Sequence, residues 1–174
     1  GTTPQRFVDE IIQNLPGLKS DWRLIASLRD NLTHLAEAAP DSFLVALEQL
    51  LEGDASAIRP LFAEADGFLS PPSPHVEVLW ALEVLAWDPA YLLRVSKLLA
   101  RLAAIDPGGK LQNRPVNSLR TIFLSWSPNT NATAKQRNAV LASIVHEFPG
   151  IAWDLLVKLL PKHHDHSSPN AKPL

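Results

Sequence analysis

The sequence predicts an all-α fold, either an irregular α-solenoid of helix pairs, as in tetratricopeptide or HEAT repeats, or an orthogonal helical bundle. Three segments read alike, each joining two amphipathic stretches at Pro40, Pro89 or Pro149. Proline suits the first turn of a helix, where its missing N–H would form no intrahelical bond. Apolar residues also recur at helical spacing, and the chain lacks alternating β-branched runs and Asn-Gly hairpin signals. A recurring helix pair is typical of a solenoid, because stacking buries faces that no single unit buries alone.

The first helix is predicted to begin at Pro4, with Thr3 as its cap. We expect its buried stripe to consist of Phe7, Ile11 and Ile12, which lie at helical spacing. The Pro16-Gly17 pair ends the pattern.

Two more helices and a loop complete the first part of the chain. A second helix is predicted over about 20–35 and a third over about 40–52, which Gly53 ends as a left-handed cap. Residues 58–65 form a short helical pattern, and residues 67–74 hold three prolines and two serines, which predicts a loop.

The second part of the chain repeats this organisation. Helices are predicted to begin near residues 74, 89, 115, 132 and 149, which gives eight or nine helices in all. After Pro161 the apolar periodicity ends. We therefore expect residues 1–161 to form a single helical-repeat domain with one continuous core that contains Leu47, Leu98 and Leu155, and residues 162–174 to be a linker.

Composition restricts the function classes. Cysteine is absent, which excludes disulfides, thiolate metal sites and a cysteine nucleophile. We find neither a signal-peptide pattern nor an apolar run of membrane-spanning length, and we expect a cytoplasmic protein. The chain begins Gly1-Thr2-Thr3 without an initiator methionine, so we expect it to be a piece of a longer protein.

The charges are segregated along the chain. Residues 37–88 contain ten acids and one base, Arg59, whereas residues 89–146 contain eight bases and one acid, Asp106. The two regions could face each other and form ordinary surface pairs. Alternatively, the basic region could be a docking face for an acidic protein partner. Nucleic acid is the third possibility, but the chain is not basic overall and carries no recognised nucleic-acid-binding motif.

The polar break at 106–115 and the helix after it hold the candidate binding residues. Long loops on a helical scaffold often bind ligands, and donors at the start of the Pro115 helix would attract anions. The alternative is that Pro-Gly-Gly is a helix stop and that Asn113 and Arg114 tie the loop to its neighbours. The candidate docking residues are Lys110, Asn113, Arg114, Ser118, Arg120, Trp126, Lys135 and Arg137.

The tryptophans and histidines give little specific indication of a binding or metal site. The five tryptophans are expected to pack mostly in the core, with Trp126 beside Pro128 as the best exposed anchor. His163, His164 and His166 with Asp165 could ligate zinc, but they lie in the predicted linker, so we interpret them as linker residues and predict no metal site.

A little over half of the chain resembles helical-repeat segments of large bacterial multidomain proteins, of the STAND-type NTPase or antiviral-defence kind. In such proteins the repeats follow a nucleotide-binding module and dock partners. This chain has no phosphate-binding loop, so the resemblance implies that any NTPase activity lies elsewhere in the full protein. The resemblance rests on 79–92, 106–109, 113–115, 118–119, 122–124, 159–161 and His164-Asp165.

These features together predict a non-catalytic scaffold or sensor region without a cofactor, which binds another protein or a neighbouring domain and no membrane. No acid lies beside a base or nucleophile in a catalytic pattern. The alternative function is a small enzyme or ligand-binding domain with a site around 106–120, formed by Asn113, Arg114, Ser118 and Arg120. A deep pocket lined by these side chains would favour that alternative.

Overall fold

The computed structural model describes residues 3–64, 73–161 and 170–173, and in these ranges the chain forms helices and no strands. The all-α prediction is therefore confirmed. The helices are α1 (Pro4–Gln13), α2 (Trp22–Ser27), α3 (Leu32–Ala38), α4 (Pro40–Leu50), α5 (His75–Leu85), α6 (Pro89–Ile105), α7 (Pro115–Phe123), α8 (Ala134–Glu147) and α9 (Pro149–Leu159). Short 3-10 turns cover Arg29–Asn31 and Arg59–Phe62.

Local chemistry explains where most helices begin. Four helices begin with proline at the position predicted from the sequence, namely α4, α6, α7 and α9. Side-chain oxygens of Thr3, Asp21 and Asp88 accept backbone N–H groups of the first turn. Thr133 and Gln136 form a reciprocal capping box at the start of α8.

The predicted second helix is wrong in one respect, because it is broken near Leu28. The ψ angle of Leu28 is about 2°, outside the helical range. The Ser27 hydroxyl donates to the Leu24 carbonyl at 2.8 Å, and Asp30 and Asn31 follow. Short polar side chains of this kind compete with the helical backbone, so a 3-10 turn separates α2 from α3. Within the described part of the short helix predicted over 58–65, the chain forms a 3-10 turn at Arg59–Phe62.

One cluster of buried apolar side chains runs from Ile12 in α1 to Leu155 in α9. Within the described ranges, α3 packs on α5, α6 on α7, and α9 on both α7 and α8. The predicted core positions Leu47, Leu98 and Leu155 are all buried. The prediction of a continuous core is thus confirmed.

The buried stripe predicted for α1 is confirmed at Ile12 but wrong at Phe7 and Ile11. Phe7 and Ile11 are exposed, whereas Val8, Ile12 and Leu15 pack against the core. Both sets have helical spacing, and the side that is buried depends on how α1 rests against α4 and α3.

Candidate docking surfaces

The polar loop between α6 and α7 is folded back onto the Arg59–Phe62 region by Arg114. The Arg114 guanidinium pairs with Glu64, contacts Asp106 Oδ1 at 3.1 Å, and donates from Nε to the Leu111 carbonyl at 3.2 Å. Arg114 is only 8% exposed. The prediction that it is an exposed docking residue is therefore wrong, and its side chain ties the loop to its neighbours.

Glu64 completes this cluster from the other side. Its carboxylate accepts the backbone N–H groups of Lys110 at 2.8 Å and Leu111 at 3.3 Å. The Lys110 N–H is the main cause of a lowered pKa at Glu64, and the Leu111 N–H and the Arg114 charge act in the same direction. Gly109 fits between these groups because a Cβ there would overlap the Arg114 guanidinium and the Glu64 carboxylate. The tight loop thus depends on both the charge cluster and the glycine.

Asn113 and Ser118 also face structural partners. The Asn113 carbonyl lies 2.9 Å from Nε2 of the buried His75, which must donate because a carbonyl only accepts. Ser118 is buried and hydrogen-bonds the side chain of Glu83, whose pKa is raised mainly by burial. Ser118 is thus buried, which leaves its hydroxyl no exposed surface for docking, whereas Asn113 is exposed.

The other five candidates divide into two sets. Arg120 and Arg137 are half-buried and donate to backbone carbonyls, at Lys158 (3.0 Å) and Ala132 (2.7 Å) respectively. The exposed members are Lys110, Lys135 and Trp126.

The acidic and basic regions of the sequence meet at the contact between α4 and α6. Arg94 donates to both Glu48 oxygens, at 2.6 and 2.8 Å, and to Asp41 at 2.9 Å. Nearby, Lys97 pairs with Glu147 at 2.6 Å. A cleft of about 450 Å³ is lined by Glu48, Arg94, Lys97 and Glu147 together with Phe148. Acidic and basic side chains from the two regions thus face each other and form ion pairs, which agrees with the interpretation that the regions pair with one another.

The site that would favour an enzyme is not supported by these contacts. Four cavities formed by described residues have other linings, and none of these four is lined by Asn113, Arg114, Ser118 or Arg120. In the same ranges, no group of three or more His, Cys, Asp or Glu side chains is placed to hold a metal ion.

An apolar stripe on α9 faces solvent. It was missed in the sequence because α9 is apolar on most sides, and periodicity alone does not show which side packs on α7 and α8. Ala152 and Leu155 are buried, whereas Trp153 is 69% exposed and Leu160, at the helix end, is 61% exposed. The stripe has the i, i+3, i+4, i+7 spacing of one helix face and consists of Trp153, Leu156, Val157 and Leu160.

The tryptophans are less buried than predicted. Trp87 is buried and Trp22 is partly buried, but Trp80, Trp126 and Trp153 are all exposed by about half or more. The prediction of an exposed Trp126 is confirmed. The expectation that the others pack mostly in the core is wrong for Trp80 and Trp153.

The described end of the chain lies against the helical domain, where we expected a linker. The Trp87 indole N–H donates to the Ala171 carbonyl at 3.1 Å, and Asn170 Nδ2 donates to Thr121 Oγ1 at 3.3 Å. The Lys172 ammonium lies 5.0 Å from the Trp87 ring centroid. The histidines at 163, 164 and 166, with Asp165, lie outside the described residues.

Comparisons with known proteins add no relative. No protein-family model, curated protein or solved structure matches this chain. In the part of the chain that the structure describes, no helix is both long and apolar enough to cross a membrane.

Proposed function

We propose that this chain is a non-catalytic docking module that binds a protein partner or a neighbouring domain through the α9 stripe. The observation that carries the proposal is the exposure of four apolar side chains in helical register on α9. Following the resemblance in the sequence, we place the module in a large bacterial cytoplasmic protein of the STAND-type or antiviral-defence kind, where helical repeats dock partners.

The size and chemistry of the stripe favour a protein partner. Burying a large apolar side chain contributes about 1.5–3 kcal/mol, and exposed tryptophans are frequent binding hot spots. Asp154, an exposed neighbour, and the half-buried Lys158 supply polar groups at the edge. A central apolar row with a polar rim is the usual arrangement of a binding interface.

The partner surface is expected to be an apolar helix face. A single helix that exposes a row of side chains packs best against a second helix with the same spacing, because ridges of one fill grooves of the other. The acidic partner expected for the basic region is less favoured, since Arg94, Lys97 and Arg114 already have carboxylate partners.

Site-specific photo-crosslinking in cells tests the proposal. A photoreactive phenylalanine analogue replaces Trp153 in the full-length protein, and a matched variant carries it at Trp126, which is also exposed but lies in the loop after α7. We expect a discrete adduct with a partner, or with a distant segment of the same protein, from position 153 alone. Equal labelling of both positions, or none at 153, would contradict the proposal.

A further inference from the structure

A groove between α3 and α5 holds the described C-terminal residues of the chain. Asn170 and Ala171 border a cavity of about 270 Å³ with Thr33, Trp80 and Glu83. Pro173 borders a second cavity of about 230 Å³ that includes Glu37 and Asp88. The groove lies on elements other than α9, so it is independent of the stripe.

Trp87 contacts both the backbone and a side chain of the bound segment. The Trp87 indole N–H bonds to a main-chain carbonyl, which any residue at the Ala171 position would supply. The Trp87 ring attracts the Lys172 ammonium through a cation–π contact. Proline at 173 biases Lys172 towards an extended conformation, which suits a shallow groove. An aromatic-lined groove that holds a proline-containing segment is a common mode of peptide recognition.

The charge of the groove favours a cationic segment. No lysine or arginine occurs between Arg59 and Arg94 along the sequence, so α5 contains neither, and α3 contains neither. The basic side chain of α3 is His34, which lies 3.8 Å from Glu37. The acids at its Pro173 end are Glu37 and Asp88. An ammonium group beside these carboxylates is attracted, whereas an acidic side chain at the same position would be repelled.

The described residues 170–173 do not fill the groove. Cavities remain on both sides of the Trp87 contact, and Trp80 at the edge of one is 48% exposed. A groove shaped only for these four residues would be expected to leave less open space, because the core of a specific interface is closely packed. The groove is therefore wide enough for a segment with larger side chains than Ala171.

We propose that the α3–α5 groove is a binding site for an extended segment of a partner protein that carries Lys-Pro, and that Asn170–Pro173 occupies it in cis. An intramolecular ligand competes at an effective concentration of about millimolar. A partner must therefore bind the groove more tightly than Asn170–Pro173 does, or be present at a high local concentration, to displace this segment.

The test uses the full-length chain and a fluorescein-labelled peptide with the sequence of residues 168–174, and binding is measured by fluorescence anisotropy. The released variant carries Asn170→Gly, Lys172→Ser and Pro173→Gly. We expect the peptide to bind the released variant at least about 10-fold more tightly than the unmodified chain, because the tail no longer competes. A peptide with glutamate in place of the lysine should bind about 10-fold more weakly.

A second variant separates a specific groove from non-specific sticking. Trp87→Phe, made in the released variant, keeps one aromatic ring but removes the indole N–H together with the second ring, which also weakens the cation–π contact. We expect it to weaken peptide binding at least about fivefold, the usual net value of one hydrogen bond. The Trp87 indole signal in ¹H–¹⁵N NMR spectra should move when the tail is released and return when peptide is added. The proposal is overturned if the peptide binds neither the unmodified chain nor the released variant at 1 mM, which is roughly the effective concentration of the tail. It is also overturned if the peptide binds these two proteins with equal affinity, or if the glutamate peptide binds as tightly as the lysine peptide.

Discussion

Arg94 on α6 holds both carboxylate oxygens of Glu48 on α4, at 2.6 and 2.8 Å, although 46 positions separate them in the sequence. The pair joins the acidic first part of the chain to the basic second part. A bidentate arginine–carboxylate contact is stronger than a single ion pair because two parallel hydrogen bonds fix its geometry. Charge segregation in this sequence therefore stabilises a contact between two helices.

The Arg94–Glu48 contact should be measurable as a coupling energy. Arg94→Ala is expected to lower the free energy of unfolding by about 1 kcal/mol, since the pair is partly exposed and screened. A double-mutant cycle with Glu48→Ala should give a coupling of similar size in urea denaturation. The control is Arg23→Ala, whose pair with Asp21 is more exposed, and it should show almost no change. A coupling near zero would contradict the structural role of the charge pattern.

Removal of Arg114 should be far more costly. Arg114→Ala would leave the carboxylates of Glu64 and Asp106 facing each other with no counter-charge, and breaking a buried pair in this way costs about 3–5 kcal/mol. Thermal unfolding measured by circular dichroism checks this. Lys110→Ala, on an exposed residue of the same loop, serves as control and should have little effect. Similar melting temperatures for the two variants would show that Arg114 does not hold the loop.

Two glycines offer a matched comparison. Gly109→Ala is expected to destabilise the protein by about 1 kcal/mol, because the added methyl group overlaps the charged ends of Arg114 and Glu64, which must move and weaken their hydrogen bonds. Gly150→Ala lies in the first turn of α9, where a Cβ meets nothing within 4 Å, so it should be neutral or stabilise by up to about 1 kcal/mol. Equal effects in a denaturation experiment would refute the close approach at Gly109.

His75 should make stability depend on pH. Burial is the main cause of its lowered pKa, so the folded protein keeps the ring neutral while the unfolded chain takes up a proton near pH 6.5. Stability from this group is therefore complete above about pH 6.5 and is lost as the pH falls from there through the lowered pKa. His75→Gln should flatten this part of the curve of unfolding free energy against pH, whereas His34→Gln, at an exposed position, should not. An unchanged slope in the first variant would contradict the assignment.

Helix positions were predictable because their signals are local. Prolines at 40, 89, 115 and 149 and the cap at Thr133 act within one helical turn of the residues that they organise. The break near Leu28 was missed because its signals, the short polar side chains of Ser27, Asp30 and Asn31, are weaker than the apolar periodicity that continues across them.

The candidate surfaces were less predictable because they depend on contacts that are distant in sequence. Arg114 was expected to be exposed, yet its partner Glu64 lies 50 positions away. Likewise Trp87 reaches Ala171 across 84 positions. For α9, composition shows apolar side chains on several sides, but only the packing of α7 and α8 decides that Leu155 is buried and Trp153 is not.

The affinity of the partner crosslinked at position 153 tests the docking proposal most directly. Purified full-length protein, Trp153→Ala and the control Trp126→Ala are compared by isothermal titration calorimetry, after circular dichroism shows that all three are folded. We predict that Trp153→Ala weakens binding at least about 30-fold, corresponding to a hot-spot loss of 2 kcal/mol, while Trp126→Ala binds like the unmodified protein. Unchanged affinity for the folded Trp153→Ala variant would contradict docking through the α9 stripe.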